Sequence, residues 1–209
     1  MDTICLENQP QLPFMDDQPP EIGAKPKIIA LYSPAPGSGK STVATHLNNR
    51  HGYAIVKFAM PLKAMTSTLL EYMGYDNPKI VQQMIEGELK SRPIMGFPEI
   101  TPRYMMQTLG TEWGRDCLDE NFWVRIATNR IRYLNDQGIP VVVDDMRFIN
   151  EYEALEMLGA KMVKINRPSV VYESDHPSEG LLDDFDFDVE IENIGTIEQL
   201  RTISDKLTS

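Results

Sequence analysis

The stretch Pro34-Ala35-Pro36-Gly37-Ser38-Gly39-Lys40-Ser41-Thr42 constrains this chain more than any other. It follows a short apolar run, Ile28-Ile29-Ala30-Leu31-Tyr32, suited to a strand buried on both faces, and it opens a helical stretch from Ser41 to about Arg50. Strand, glycine-rich turn, Lys-Ser and helix, in that order, form the context of a phosphate-binding loop. Gly37 and Gly39 permit unusual backbone angles and a close approach of phosphate oxygens. Successive N–H groups from Gly37 and Ser38 onward make a concave anion nest, and the helix N-terminus adds its partial positive charge. Lys40 is placed to bridge β- and γ-phosphates, Ser41 to ligate Mg²⁺, and Thr42 to meet the α-phosphate. One position departs from the usual pattern. Pro34 stands where the first glycine is expected, but that residue shapes the lead-in turn and does not donate to phosphate.

A phosphate-binding loop needs a parallel sheet behind it, and the rest of the chain supplies one. Further strands are expected at 54–58, 139–143, 161–165 and 189–191. Helical patterns fall between them: 61–94 with breaks near Asn77-Pro78 and Arg92-Pro93, 102–116 behind the N-cap Thr101, 122–136, 151–158 and 197–207. Strands alternating with helices imply an α/β fold with a five-stranded, mostly parallel sheet covered on both faces. The length of 209 residues suits one domain, expected over 27–209. Residues 1–26 read as an acidic, proline-rich tail, 61–120 as a helical region, and 168–187 as a mobile acidic excursion.

Composition narrows the function. The net charge of −11 argues against direct nucleic-acid binding. The acids concentrate in the first 25 residues and in 168–195, which leaves the middle of the chain free to hold a compact anion site. No apolar run approaches the ~20 residues of a membrane helix, and no signal peptide is readable. Cys5 and Cys117 lie far apart, which favours a reducing, cytoplasmic setting over a disulfide scaffold. His46, His51 and His176 show no metal-ligand spacing, so no structural zinc site is expected. No Asn-Lys-x-Asp guanine motif is present.

A second constellation bears on what accepts the phosphate. On a helix from Arg103 to Arg115, Arg103, Gln107, Gly110 and Thr111 fall within about a 100° arc, with Met105, Met106 and Leu109 on the other side. That polar face offers a cation, an amide and a hydroxyl. It reads either as a nucleotide cradle or as a solvated face with glycines that admit a neighbouring helix. The strand at 139–143 leads into Asp144-Asp145-Met146-Arg147, a carboxylate followed by a cation.

Arg103-x-x-x-Gln107-x-x-Gly110-Thr111, then Trp123, then Asp145-x-Arg147-x-x-x-Glu151 resembles the pattern of bacteriophage deoxynucleoside monophosphate kinases, within the P-loop nucleoside monophosphate kinase group. Ile191-x-Asn193-x-Gly195-Thr196 resembles that group's last strand and adenine-side loop. The resemblance spans 27–208 and is weak between about 61 and 100. It implies a three-layer P-loop kinase fold with a five-stranded parallel sheet, a helical acceptor-binding region and a short lid at 168–187. It implies transfer of the γ-phosphoryl group of ATP, with Mg²⁺, to a deoxynucleoside monophosphate for DNA synthesis, in the host cytoplasm if phage-encoded. ATP would meet Gly37, Ser38, Gly39, Lys40, Ser41, Thr42, Arg167, Asn193 and Gly195. The acceptor would meet Arg103, Gln107, Gly110, Thr111, Trp123, Asp145, Arg147 and Glu151. Trp123 has a core role as its alternative, Asp145 that of orienting Arg147, and Glu151 that of a helix N-terminal acid.

Phosphoryl transfer asks mainly for cations and alignment, so Lys40, Arg147 and Arg115 are the catalytic candidates and Ser41 the metal ligand. Relatives carry arginines in the lid, whereas 168–200 here contains no Lys or Arg, which leaves Arg167, Arg115 or Arg147 to replace them. The expected partners are small-molecule nucleotides, with no nucleic acid and no membrane, and a homodimer is compatible with the sequence. Two other readings stay open: a kinase of another small acceptor, similar to dephospho-coenzyme A kinases, and a non-catalytic ATP-binding module.

Overall fold

The computed structural model describes residues 26–168 and 180–209. The expected tail, apart from Pro26, and residues 169–179 of the expected lid, with His176, lie outside them.

Five strands, β1 (Ile28–Tyr32), β2 (Ala54–Val56), β3 (Val141–Val143), β4 (Lys161–Asn166) and β5 (Val189–Glu192), form one sheet in the order β2-β3-β1-β4-β5. Every pairing is parallel. Alternate residues of each strand face opposite sides. Ile28, Ala30, Tyr32, Val141 and Val143 pack against Val124, Ala127 and Ile131 of α5 (Phe122–Asp136) and against Tyr152 and Leu155 of α6 (Ile149–Met157). Ile29, Leu31, Val142, Val163 and Ile165 pack against Val43, Ala44 and Leu47 of α1 (Lys40–His51) and Leu200 of α7 (Ile197–Asp205). Because both faces are covered, β1 and β3 are buried throughout. This is the three-layer α/β fold expected from the alternation of elements.

A third, separate core joins α2 (Met60–Tyr72), α3 (Pro78–Glu86) and α4 (Pro102–Thr108) through Leu70, Val81, Met84, Ile85 and Met106. It stands apart from the sheet and forms the expected helical region.

Several boundaries differ from expectation for local reasons. β2 stops at Val56, two residues early, because the N–H groups of Phe58 and Ala59 turn away to donate to the Asp145 carboxylate. β3 begins at Val141 because Pro140 has no N–H to give the ladder. The single helix expected over 102–116 is not one α-helix. It runs as α4 to Thr108 and then as a π-helix, Leu109–Leu118, with an i→i+5 bond from Asp119 N–H to the Gly114 carbonyl.

The described part of the acidic excursion differs from what its composition suggests. From Gly180 onward it is anchored. Leu182 is buried, Phe185 and Phe187 pack on the core, and the Phe187 ring stacks on Tyr32. Tyr32 donates its hydroxyl proton to Asp183, and Tyr152 donates to the Asp186 carbonyl. Three apolar side chains interleaved with acids hold the segment against the sheet.

Candidate active site

In an open parallel sheet the ligand crevice lies beyond the C-terminal strand ends, where the strand order reverses. Here that point lies between β1 and β3, and the glycine-rich loop after β1 and the Asp144–Arg147 stretch after β3 both leave the sheet there. The loop after β1 takes the left-handed conformations that only glycine adopts freely, at Gly37 (φ 75°) and Gly39 (φ 111°). A side chain at Gly39 would also meet Leu200 at 2.7 Å and Asn193 at 2.9 Å. Asn193, at the end of β5, donates its side-chain N–H to the Ser38 carbonyl at 2.8 Å, and Arg167, just past β4, donates to the Gly37 carbonyl at 3.0 Å. Residues from three strand ends therefore shape one loop.

Around it lies a cavity of about 470 Å³ lined by Gly37 to Thr42, Lys57, Lys63, Asp144, Asp145, Arg147, Arg167, Asn193 and Gly195. Every residue expected on the ATP side is in this lining. A second cavity, about 430 Å³, is lined by Arg103, Gln107, Gly110, Thr111, Arg115, Trp123, Asp145, Arg147 and Glu151, together with Lys63 and Lys90. Every residue expected on the acceptor side is there. The two cavities share Pro36, Lys63, Asp145 and Arg147.

The two expected acceptor carboxylates are turned to backbone work. Asp145 accepts from the N–H groups of Phe58 and Ala59, both at 3.0 Å, so it fixes the start of α2 rather than orienting Arg147. Glu151, 3% exposed, accepts from the N–H groups of Arg147 and Phe148 at 2.8 and 3.1 Å. Its other oxygen meets the Arg115 guanidinium at 3.1 Å, and Arg115 also lies 4.1 Å above the Phe148 ring. Burial pushes the Asp145 carboxyl up, and it pushes Glu151 up to about 7 against the pull of the N–H donors and Arg115.

Trp123 takes its core alternative. Its indole is 2% exposed and donates to the Gly110 carbonyl at 2.8 Å, while lining the second cavity. Gly114 lies directly beneath the same ring, so a methyl there would overlap the indole. The π-helix thus lies against the indole, and Gly114 is the glycine that admits a neighbouring helix, through Trp123 of α5; a side chain at Gly110 would meet only Leu62, at 3.6 Å.

Several residues that line the cavities were not read from the sequence, among them Asp144, Lys57, Lys63, Lys90 and Glu86, which pairs with Lys63 at 2.7 Å. Asp144, rather than Asp145, receives the Ser41 hydroxyl at 3.1 Å, and the Lys57 ammonium lies 3.0 Å from both of its oxygens. The signal was available: Asp144 is the first residue past the apolar run of β3. Lys57, read as part of a strand, is the first residue past β2. Lys63 and Lys90 lie where the resemblance is weak. Burial, and then repulsion from Lys63, Arg103 and Arg147, hold the Lys90 ammonium below its usual range, with Glu86 opposing.

Residues 98–203 match the family model described as deoxynucleotide monophosphate kinase, which takes in the π-helix, Asp145, Arg147, Glu151 and Asn193. A protein named as a deoxynucleotide monophosphate kinase in Acanthamoeba polyphaga mimivirus is 33% identical over 175 residues, covering 78% of this chain and 86% of that one. The deoxynucleotide monophosphate kinase of Escherichia phage RB69 is 29% identical over 50% of this chain and 43% of its own length. The deoxynucleoside-5'-monophosphate kinase of Escherichia phage T5 is 35% identical over 38% and 34% respectively, so against these phage enzymes the chain spans less than half the relative. Among solved structures, dephospho-CoA kinase from Campylobacter jejuni superposes with a TM-score of 0.41 at 15% identity over 87% of this chain and 94% of that one, too loosely to bear on function. With the family model spanning half of the chain and the mimivirus relative covered over most of its length, this chain belongs to the deoxynucleotide monophosphate kinase family.

Proposed function

We propose that this kinase transfers the γ-phosphoryl group of ATP to a deoxynucleoside monophosphate, giving ADP and the deoxynucleoside diphosphate. The observation that carries the reading is the junction of two cavities at Lys63, Asp145 and Arg147, with the phosphate-binding loop on one side and the Arg103–Thr111 face on the other. The acceptor cavity is lined by five cationic side chains and two carboxylates; Arg115 pairs with Glu151 and Lys63 with Glu86 from the donor side, and Lys90, Arg103 and Arg147 add further positive charge. Lys90, held below its usual range first by burial and then by repulsion from Lys63, Arg103 and Arg147, faces the same cavity. A monophosphate dianion supplies the missing countercharge.

In the proposed reaction an oxygen of the acceptor phosphate forms a bond to the γ-phosphorus. The bond from that phosphorus to the β–γ bridging oxygen breaks, and ADP leaves with that oxygen. The loop N–H groups and Lys40 hold the donor's β- and γ-oxygens. Arg167 and Asn193 act indirectly, by fixing the loop carbonyls of Gly37 and Ser38. Arg147 at the junction stabilises the charge that spreads over the transferring group. Glu151 holds Arg115 toward the acceptor and shapes the backbone at Arg147. Gln107 and Thr111 offer hydrogen-bonding groups to the nucleoside, and Trp123 with Gly110 forms the wall. Lys57, Lys63, Arg115 and Arg147 together take the place of lid cations.

Mg²⁺ fits the residues present. Ser41 and Asp144 bring a hydroxyl and a buried carboxylate to one point, a hard oxygen donor set beside the β/γ end of the loop. These two would hold it, and when bound it would neutralise negative charge on the donor phosphates during transfer. The test is a coupled ADP-release assay with ATP over the common dNMPs, NMPs and dephospho-coenzyme A. Turnover is expected with at least one dNMP. Turnover with dephospho-coenzyme A alone, or ATP binding with no transfer to any acceptor, overturns the proposal.

A further inference from the structure

Away from the transfer site, the fold brings together three residues that the sequence keeps apart. His46 and His51 belong to α1 and Asp205 ends α7. The Nε2 atoms of both histidines lie 2.7 Å from the same oxygen, Oδ1 of Asp205. All three donor atoms fall within 4.8 Å of one another, and the two imidazole rings meet edge to face at 6.0 Å. The histidine side chains are only 13% and 16% exposed. Five residues on an ideal helix turn through about 140° net, so two such histidines do not share a face. His51 is the last residue of α1, before left-handed Gly52, and both rings reach the one carboxylate that α7 brings alongside.

We propose that His46, His51 and Asp205 form a binding site for one transition-metal dication of the Zn²⁺ type, distinct from the catalytic Mg²⁺ position. Two imidazole nitrogens and one carboxylate oxygen are the donors that such an ion takes, with water completing four-coordination, whereas Mg²⁺ and Ca²⁺ favour oxygen-only shells. The electrostatics agree. The C-terminal ends of both α1 and α7 meet at this point, and each carries partial negative charge that favours a cation. As hydrogen bonds alone, the contacts require both neutral rings to carry their proton on Nε2 and aim it at one oxygen. The exposed Arg50 adds its Nε at 3.6 Å from that oxygen. A metal ion takes the Nε2 lone pair of each ring, whose one proton shifts to Nδ1, and the exposed Arg50 has solvent to move into. Metal bonds of ~2.0–2.2 Å set tetrahedral donor separations at about 3.3–3.6 Å, so each ring retreats from Asp205 by roughly 0.6–0.9 Å.

The site would be structural. α1 begins at Lys40 in the phosphate-binding loop, and α7 begins at Ile197 beside the Asn193–Gly195 loop. A metal at their far ends clamps the two helices that frame the donor cavity.

The test uses the full chain, stripped with chelator and free of nucleotide. Co²⁺ is added and the visible spectrum recorded, and Zn²⁺ binding is measured by calorimetry with a melting curve alongside. The expected result is about one ion per chain, the d–d absorption of a four-coordinate nitrogen and oxygen site, and a rise in Tm with Zn²⁺ but not with Mg²⁺. His51→Gln and Asp205→Asn should each weaken Zn²⁺ binding tenfold or more, since even the outer partners of metal ligands commonly matter that much. If a variant fails to fold, the Co²⁺ spectrum of the unaltered chain still decides. The proposal is overturned by the absence of that absorption, by a thiolate charge-transfer band placing the ion on cysteine, or by unchanged binding in folded variants.

Discussion

Gly114→Ala pits a local rule against the tertiary structure. In a helix interior the change should stabilise by about 1 kcal/mol, because alanine loses less backbone freedom than glycine. Here the added methyl would lie 2.7 Å from Cε2 and 2.8 Å from Cζ2 of Trp123, whose indole is 2% exposed and walled by Trp113 and Phe122 at ring distances of 6.2 and 4.9 Å. Overpacking of this kind costs about 1–3 kcal/mol. The displaced indole also weakens its bond to the Gly110 carbonyl, worth about 1 kcal/mol. The net expectation is a destabilisation of about 1–3 kcal/mol, or roughly 4–8 °C in Tm at the centre of that range. Because Gly110 and Thr111 share the π-helix with Gly114, KM for the acceptor should rise while KM for ATP holds. Melting curves and steady-state kinetics read both effects. A double-mutant cycle with Trp123→Phe isolates the contact, because alanine at 114 should cost less once the indole is gone. A Gly114→Ala protein that melts at or above the parent temperature refutes the packing argument.

Three further outcomes can be measured. Lys40→Ala should abolish most transfer with an unchanged melting curve, because it removes a cation from the β/γ-phosphates; near-normal turnover sinks the loop assignment. Arg103→Ala, which removes a guanidinium held by Ser91 in the acceptor cavity, should mainly raise KM for the dNMP, whereas Arg147→Ala at the junction should lower kcat by about a hundredfold or more. If both change only KM for ATP, the acceptor has been placed on the wrong side of the crevice. Glu151 contributes to the pH dependence of stability: its carboxyl, pushed up to about 7 by burial, binds a proton more tightly folded than unfolded. Its contribution to stability is therefore fully present below the unfolded value near 4.5 and declines as pH rises through 7, by about 3 kcal/mol at most. Glu151→Gln should flatten denaturant-measured stability across that window, and an unchanged slope would show that the N–H donors and Arg115 keep the group ionised.

The sequence by itself determined the sheet, the phosphate-binding loop and the order of the site motifs. These rest on short-range physics: an apolar run that must be buried, glycines whose φ no other residue adopts freely, and a lysine whose position follows from the turn. Each strand, from Ile28–Tyr32 to Val189–Glu192, appeared where its apolar run was read, to within two residues. The tertiary structure decided which carboxylate does what. Asp144 and Asp145 are neighbours at the end of one strand, and successive side chains there point to opposite sides, so one reaches Ser41 and Lys57 while the other takes the N–H groups of Phe58 and Ala59. Periodicity gave no warning of the π-helix, because its extra width answers to the Trp123 indole, whose residue lies nine positions beyond Gly114. Nor did spacing show that His46, His51 and Asp205 meet, since their meeting depends on how α7 lies along α1. Backbone preference is written residue by residue, but the partners of a buried polar group are chosen by whatever the fold brings within three ångströms of it.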